Sequence, residues 1–173
     1  MIHSFLPVAD SDAEALVLGS MPGRASLAAG EYYAHPRNHF WPIMGELFGA
    51  TPDIPYEKRL KILKCNRIAL WDVLASCARE SSLDAGIAKD SENINDFELF
   101  MVEHPRISAV FFNGRKAEQV FLKKVKPALK ARALVCQLLP STSPAYAGMS
   151  YRSKLEAWRI LERTTSGSCR SHG

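Results

Sequence analysis

Four short apolar runs, set between amphipathic helical patterns, dictate most of what this chain can fold into. They cover residues 15–19 (ALVLG), 68–71 (IALW), 109–112 (AVFF) and 133–138 (ALVCQL). Runs this short and continuous, bounded by polar or turn residues, read as buried strands rather than helices. Helical patterns lie between them. Residues 42–48 open with a proline suited to a first turn, and 56–63 carry a Leu60/Leu63 stripe. A third pattern, 97–102, follows Asn95 or Asp96 as a cap, and 116–125 repeats Val120, Phe121 and Val125. The last, 151–162, places Leu155, Trp158 and Leu161 on one face. Strands alternating with helices predict an α/β fold with a mostly parallel sheet covered on both sides.

At 173 residues the chain fits one domain, expected over 1–163, with a small polar tail at 164–173 (TTSGSCRSHG) expected to fray. A hydrophobic content of 47% supplies a core without disulfides or metals. Cys65, Cys77, Cys136 and Cys169 form no CxxC pair and have no histidine at zinc-site spacing, so they read as free thiols before they read as ligands of an iron–sulfur cluster. The beginning of the chain lacks a basic patch followed by an apolar stretch, and no run approaches the ~18 apolar residues of a membrane span. The expectation is a soluble, cytoplasmic monomer away from membranes. A net charge of +4 agrees with an acidic partner without demanding one.

Open α/β sheets bind ligands beyond the carboxyl ends of their strands, which directs attention to four segments. After the first run come Gly19, Ser20, Met21, Pro22 and Gly23, a tight loop whose amides can approach a ligand closely. It is neither a Walker A loop nor a GxSxG elbow. Next, YYAHPRNHFWP (32–42) crowds aromatics, two histidines, an arginine and an asparagine together. A nucleobase pocket needs a flat apolar surface and a few fixed polar groups. Tyr33 or Phe40 supplies the first, and Asn38 with backbone groups the second; Trp41 reads as core. Asp72 and Asn113–Gly114 stand at the ends of the second and third runs. After the fourth come Ser141, Thr142 and Ser143, hydroxyls framed by Pro140 and Pro144, of the kind that contact phosphates. The basic stretch 115–132, with Glu118 its one acid, reads as a solvated face before it reads as a DNA groove.

GSMPG, YYAHPRNHFWPIM, ALWDVLASCARESSLDAGI, FFNGRKA and LPSTSPAYA, in this order between Leu16 and Trp158, resemble the hypoxanthine-DNA glycosylase family of the uracil-DNA glycosylase superfamily. The resemblance implies a three-layer α/β/α fold with a central four-stranded parallel sheet, DNA across the strand-end edge, and no cofactor. It places the catalytic asparagine on Asn38, the base-stacking aromatic on Tyr33, and a DNA-contacting motif on Ser141, Thr142 and Ser143, leading through Pro144 into a strand-penetrating loop. Arg37 joins this DNA-binding set. Related mismatch-specific uracil glycosylases carry an asparagine where this chain has Met21, and a thioether cannot usefully hold a water. Either Asn38 takes over, or the enzyme is weak.

The expected reaction is hydrolysis of the N-glycosidic bond of a flipped deaminated base, hypoxanthine first, leaving an abasic site. Asn38 positions water or the base edge, and the 19–23 amides stabilise the leaving base; His35 and Asp72 are alternative bases ranked below Asn38, or with Asn113 they support the pocket. The rival readings are uracil or xanthine as the base, a DNA-binding member with little catalysis, and a hydrolase of free nucleotides.

Overall fold

The computed structural model describes residues 1–79 and 84–166. The chain runs through β1 (Ile2–His3), β2 (Ala15–Gly19), α1 (Arg24–Ala29), α2 (Phe40–Phe48), α3 (Tyr56–Cys65), β3 (Ile68–Asp72) and β4 (Leu74–Cys77). There follow β5 (Asn93–Ile94), α4 (Phe97–Glu103), β6 (Ala109–Asn113), α5 (Arg115–Val120), β7 (Val135–Leu139), α6 (Tyr151–Trp158) and α7 (Ile160–Thr164). A π-helical segment, Phe121–Val125, continues α5.

β3, β2, β6 and β7 hydrogen-bond in that order as a parallel sheet. Period-two alternation divides their side chains between two cores. Leu16, Leu18, Ala69, Trp71, Val110 and Phe112 face α4 and α5, meeting Phe97, Phe100, Val120 and Phe121. Ala15, Val17, Ile68, Leu70, Ala109 and Phe111 face α2, α3, α6 and α7, meeting Phe40, Trp41, Leu63 and Trp158. This is the expected three-layer α/β/α arrangement. Every residue of β2 is buried because the strand is central and covered on both faces.

The fourth run departs from the expectation of a buried strand. Val135 is 64% exposed and Gln137 is exposed, because β7 is an edge strand with its α4-side residues packed and its other face open. The 116–125 helix gives way to π geometry at Phe121, and 151–162 divides at Arg159. α1 and the small antiparallel sheet, in order β1-β4-β5, carry no periodic signal in so few residues. Order continues past 163, because the Ser166 amide and hydroxyl both donate to Glu14, each at 2.7 Å. The rest of the expected tail, 167–173, lies outside the described residues, as does Cys169. Among the described residues no helix is long and apolar enough to cross a membrane.

The chain leaves β2 toward β3 and then returns to β6 on the other side of β2. The segments following β2 and β6 therefore diverge to opposite faces, which opens a crevice beyond their carboxyl ends. β3 and β4 form one bent run whose Val73 and Leu74 amides donate to the Gly19 and Ser20 carbonyls, at 2.9 and 3.1 Å. The small sheet is thereby tied to the segment that follows β2.

Candidate active site

A cleft of about 850 Å³ occupies the crevice. Its floor is the 19–23 loop, whose carbonyls are drawn into the protein. Gly19 and Ser20 accept from β4 and its approach, Pro22 from the Arg79 guanidinium, and Gly23 from the Leu27 amide. The loop residues Gly19, Ser20, Met21, Pro22 and Gly23 all line the cleft. Gly19 is required by space. A β-carbon there would lie 2.5 Å from Asp72 Oδ1 and 3.2 Å from the Tyr33 hydroxyl oxygen. Met21 is 7% exposed and belongs to the core on the α4 side, so it forms apolar floor beneath the loop.

Asp72 is the one carboxylate among the described residues lining the cleft. It is 3% exposed, and Ser4 donates to its Oδ2 at 3.0 Å. Burial, and after it the Asp72 charge, push the neighbouring Tyr32 phenol far upward, so Tyr32 stays protonated and donates to the Leu6 carbonyl. Tyr33 adopts φ +57°, a left-handed conformation that costs a bulky residue about 1–2 kcal/mol. The bonds on either side hold it there. Tyr32 donates its amide to the Tyr56 hydroxyl and accepts from the Trp41 indole, and the Ala34 amide donates to Ser26 Oγ. Tyr33 lines the cleft and stacks on Phe40 at 4.0 Å. Phe40 itself is fully buried, which corrects its expected place in contact with a base: it backs Tyr33 instead.

Asn38 lines the cleft half-buried, with its Oδ1 accepting from the Phe40 amide at 2.9 Å. That bond closes a local turn at the entry to α2, whose N-cap is His39, and fixes the side chain's direction. His35 also lines the cleft and accepts at Nδ1 from the Arg37 amide, which puts its proton on Nε2. Arg37 and Arg24 are exposed at the rim. Arg24 follows the glycine loop directly, and that adjacency was a signal available in the sequence.

The far wall is the hydroxyl-rich loop. Asn113 donates to Thr142 Oγ1 at 2.8 Å and accepts from the Thr142 amide at 2.9 Å, while the Thr142 carbonyl accepts from the His39 amide at 3.0 Å. Thr142 is fully buried, which corrects its expected contact with DNA: it anchors the loop. Ser141, Ser143 and Pro144 remain partly exposed along the cleft. Gly114, at φ +97°, lets Ser141 pack where a β-carbon would sit 3.2 Å away. His39 has its pKa lowered by burial and then by the Lys154 charge, so its ring is neutral near pH 7. The basic stretch is partly spent internally: Lys116 and Lys124 pair with Glu92, and Arg132 donates to carbonyls of 101, 105 and 107. Among the described residues no three metal-ligating side chains gather.

An open parallel α/β sheet with a strand-end cleft, floored by glycine-rich backbone and flanked by a stacked aromatic and rim arginines, defines a protein built to take a flat polar ligand from a larger anionic one. A profile of the uracil DNA glycosylase superfamily matches residues 6–162. The chain belongs to that superfamily and is a DNA glycosylase, with DNA as its substrate. Two relatives, from Methanosarcina acetivorans and Methanosarcina barkeri, are each 38% identical and are named hypoxanthine DNA glycosylase. The matches cover 93% and 90% of this chain, and 98% and 94% of the relatives. A solution NMR structure of a Methanosarcina acetivorans protein, described as a candidate uracil DNA glycosylase, superposes with a TM-score of 0.75 at 37% identity. It covers 92% of this chain, which covers 98% of it.

Proposed function

We propose that the cleft takes an extrahelical deoxyinosine from DNA and hydrolyses its N-glycosidic bond, releasing hypoxanthine and leaving an abasic site. The observation that carries the reading is near full-length similarity to two relatives of that name, joined to a cleft with a stacked aromatic and a backbone floor. Flipping costs a few kcal/mol, least at a mismatch, and Tyr33 backed by Phe40 offers the surface that recovers it. Water oxygen bonds to C1′ as the bond to N9 breaks; the bonding pair leaves with the base, one water proton stays on the sugar hydroxyl, and the other passes to solvent, from which the departed base anion takes up its proton. Amides of the 19–23 loop stabilise the charge gathering on the base. Asn38 positions the water or the base edge, since an amide takes up no proton near neutral pH. Arg24, Arg37, Ser141, Ser143 and Pro144 meet the DNA strand, and His35, Asp72 and Asn113 hold the pocket's shape. Action as a monomer in the cytoplasm completes the proposal.

The test uses labelled duplexes carrying one inosine, uracil or xanthine, with and without EDTA, followed by alkali. Strand breaks at inosine, indifferent to EDTA, are expected. Breaks confined to uracil would move the specificity, and a retained gel shift without breaks at any base would overturn the catalytic reading.

A further inference from the structure

Lys154 has no role in the chemistry above, yet it sits in an expensive place. It is 1% exposed on α6, and no carboxylate of the described residues lies within salt-bridge distance of it. Burying an ammonium without a counter-charge is costly and persists only where other groups compensate. Both contacts described for it belong to one residue. Its Nζ donates to the Tyr146 carbonyl at 2.8 Å and lies 5.2 Å from the centre of the Tyr146 ring. Tyr146 is 44% exposed and lines the cleft beyond the hydroxyl-rich loop.

We propose that Lys154 is a positioning residue of the DNA face: its ammonium pins Tyr146 at the cleft rim, where the phenol ring stacks against the nucleic acid. This rests on the reading that the cleft takes DNA. The physical case has two parts. A loop tip is entropically costly to order, and the carbonyl bond and the ring contact fix backbone and side chain of Tyr146 together. The cation is also poorly balanced while the protein is unbound, and approaching phosphates supply the missing negative charge. Burial lowers the Lys154 pKa, in keeping with a charge that lacks a partner. The Thr142 anchor and the His39 amide hold the other end of the same loop, so Lys154 completes its support.

The test measures binding of the full chain to a duplex with a tetrahydrofuran abasic site by fluorescence anisotropy, which needs no catalysis. Lys154→Met keeps the length of the side chain and removes the charge; Tyr146→Ala removes the ring. Each is expected to weaken binding about tenfold, in line with loss of one stacked aromatic. The double variant is expected to match the single ones, because one residue acts through the other. In single-turnover reactions on inosine duplex, both are expected to raise the half-saturating enzyme concentration; a merely structural loss would lower the active fraction instead. Unchanged affinity in Tyr146→Ala, whose side chain is 44% exposed, would overturn the proposal even if Lys154→Met folds poorly. So would a double variant about a hundredfold weaker. Tight abasic binding by a wild type that cleaves no base would remove the glycosylase reading and leave this one standing.

Discussion

At Asn38, one oxygen serves two purposes. Oδ1 closes the turn into α2 through the Phe40 amide, and that bond aims the side chain along the cleft wall. Asn38→Ala is expected to cut base release about 10²–10³-fold, the usual cost of one positioned polar group, while leaving DNA affinity within about threefold. Single-turnover rates beside anisotropy measurements check this, and an unchanged rate removes Asn38 from the mechanism. At Gly19 the constraint is space. Gly19→Ala places a methyl group 2.5 Å from Asp72 Oδ1, against a carboxylate that is buried and tied to Ser4. The expected result is a loss of about 1–3 kcal/mol in urea unfolding together with lower activity. Wild-type stability in that variant would show that Asp72 yields freely.

Among the elements, the decisive junction joins β6 to the hydroxyl-rich loop. One asparagine side chain satisfies both the amide and the hydroxyl of a fully buried threonine. Asn113→Ala leaves those groups without partners and is expected to cost about 1–3 kcal/mol. Asn113→Asp keeps an acceptor for the amide and another for the threonine hydroxyl, and is expected to recover most of that loss. Denaturant titration of the pair separates hydrogen bonding from packing. Much at this scale was legible in the sequence. The strands after residues 15, 68 and 109 and the helices near 42, 56 and 97 declared themselves through period and turn residues. α1, β1, β4 and β5 did not, since elements of two to six residues are held by contacts distant in the chain. Thr142 was misread for a related reason: a hydroxyl in a Ser/Thr/Pro loop looks the same whether it faces DNA or an asparagine.

Across the whole molecule, Glu14 joins the start of β2 to Arg67 ahead of β3 and to Ser166 near the end of the described chain. Burial raises its pKa, but the Ser166 amide and hydroxyl and the Arg67 guanidinium outweigh it and bring the carboxyl down to about 2. A folded-state pKa below the ordinary 4.5 contributes stability that is complete above that pH and fades as pH falls toward 2. Glu14→Gln is therefore expected to lower the melting temperature at neutral pH, and the gap from wild type is expected to close between pH 4.5 and 2. Melting curves across that range check the sign, and a gap that widens on acidification would contradict it.

The sequence by itself determined the α/β class, the parallel sheet, and the strand-end segments that line the cleft, because hydrophobic period and turn chemistry are local properties. It also brought Asn38, Tyr33, Asp72 and Asn113 forward, as polar or aromatic groups placed at those ends. Only the tertiary structure decided which of them reach the cleft. It set Phe40 behind Tyr33, turned Thr142 inward, made β7 an edge, and buried Lys154 beneath Tyr146. Burial and hydrogen-bond partnership depend on what arrives from elsewhere in the chain, and no local pattern encodes that.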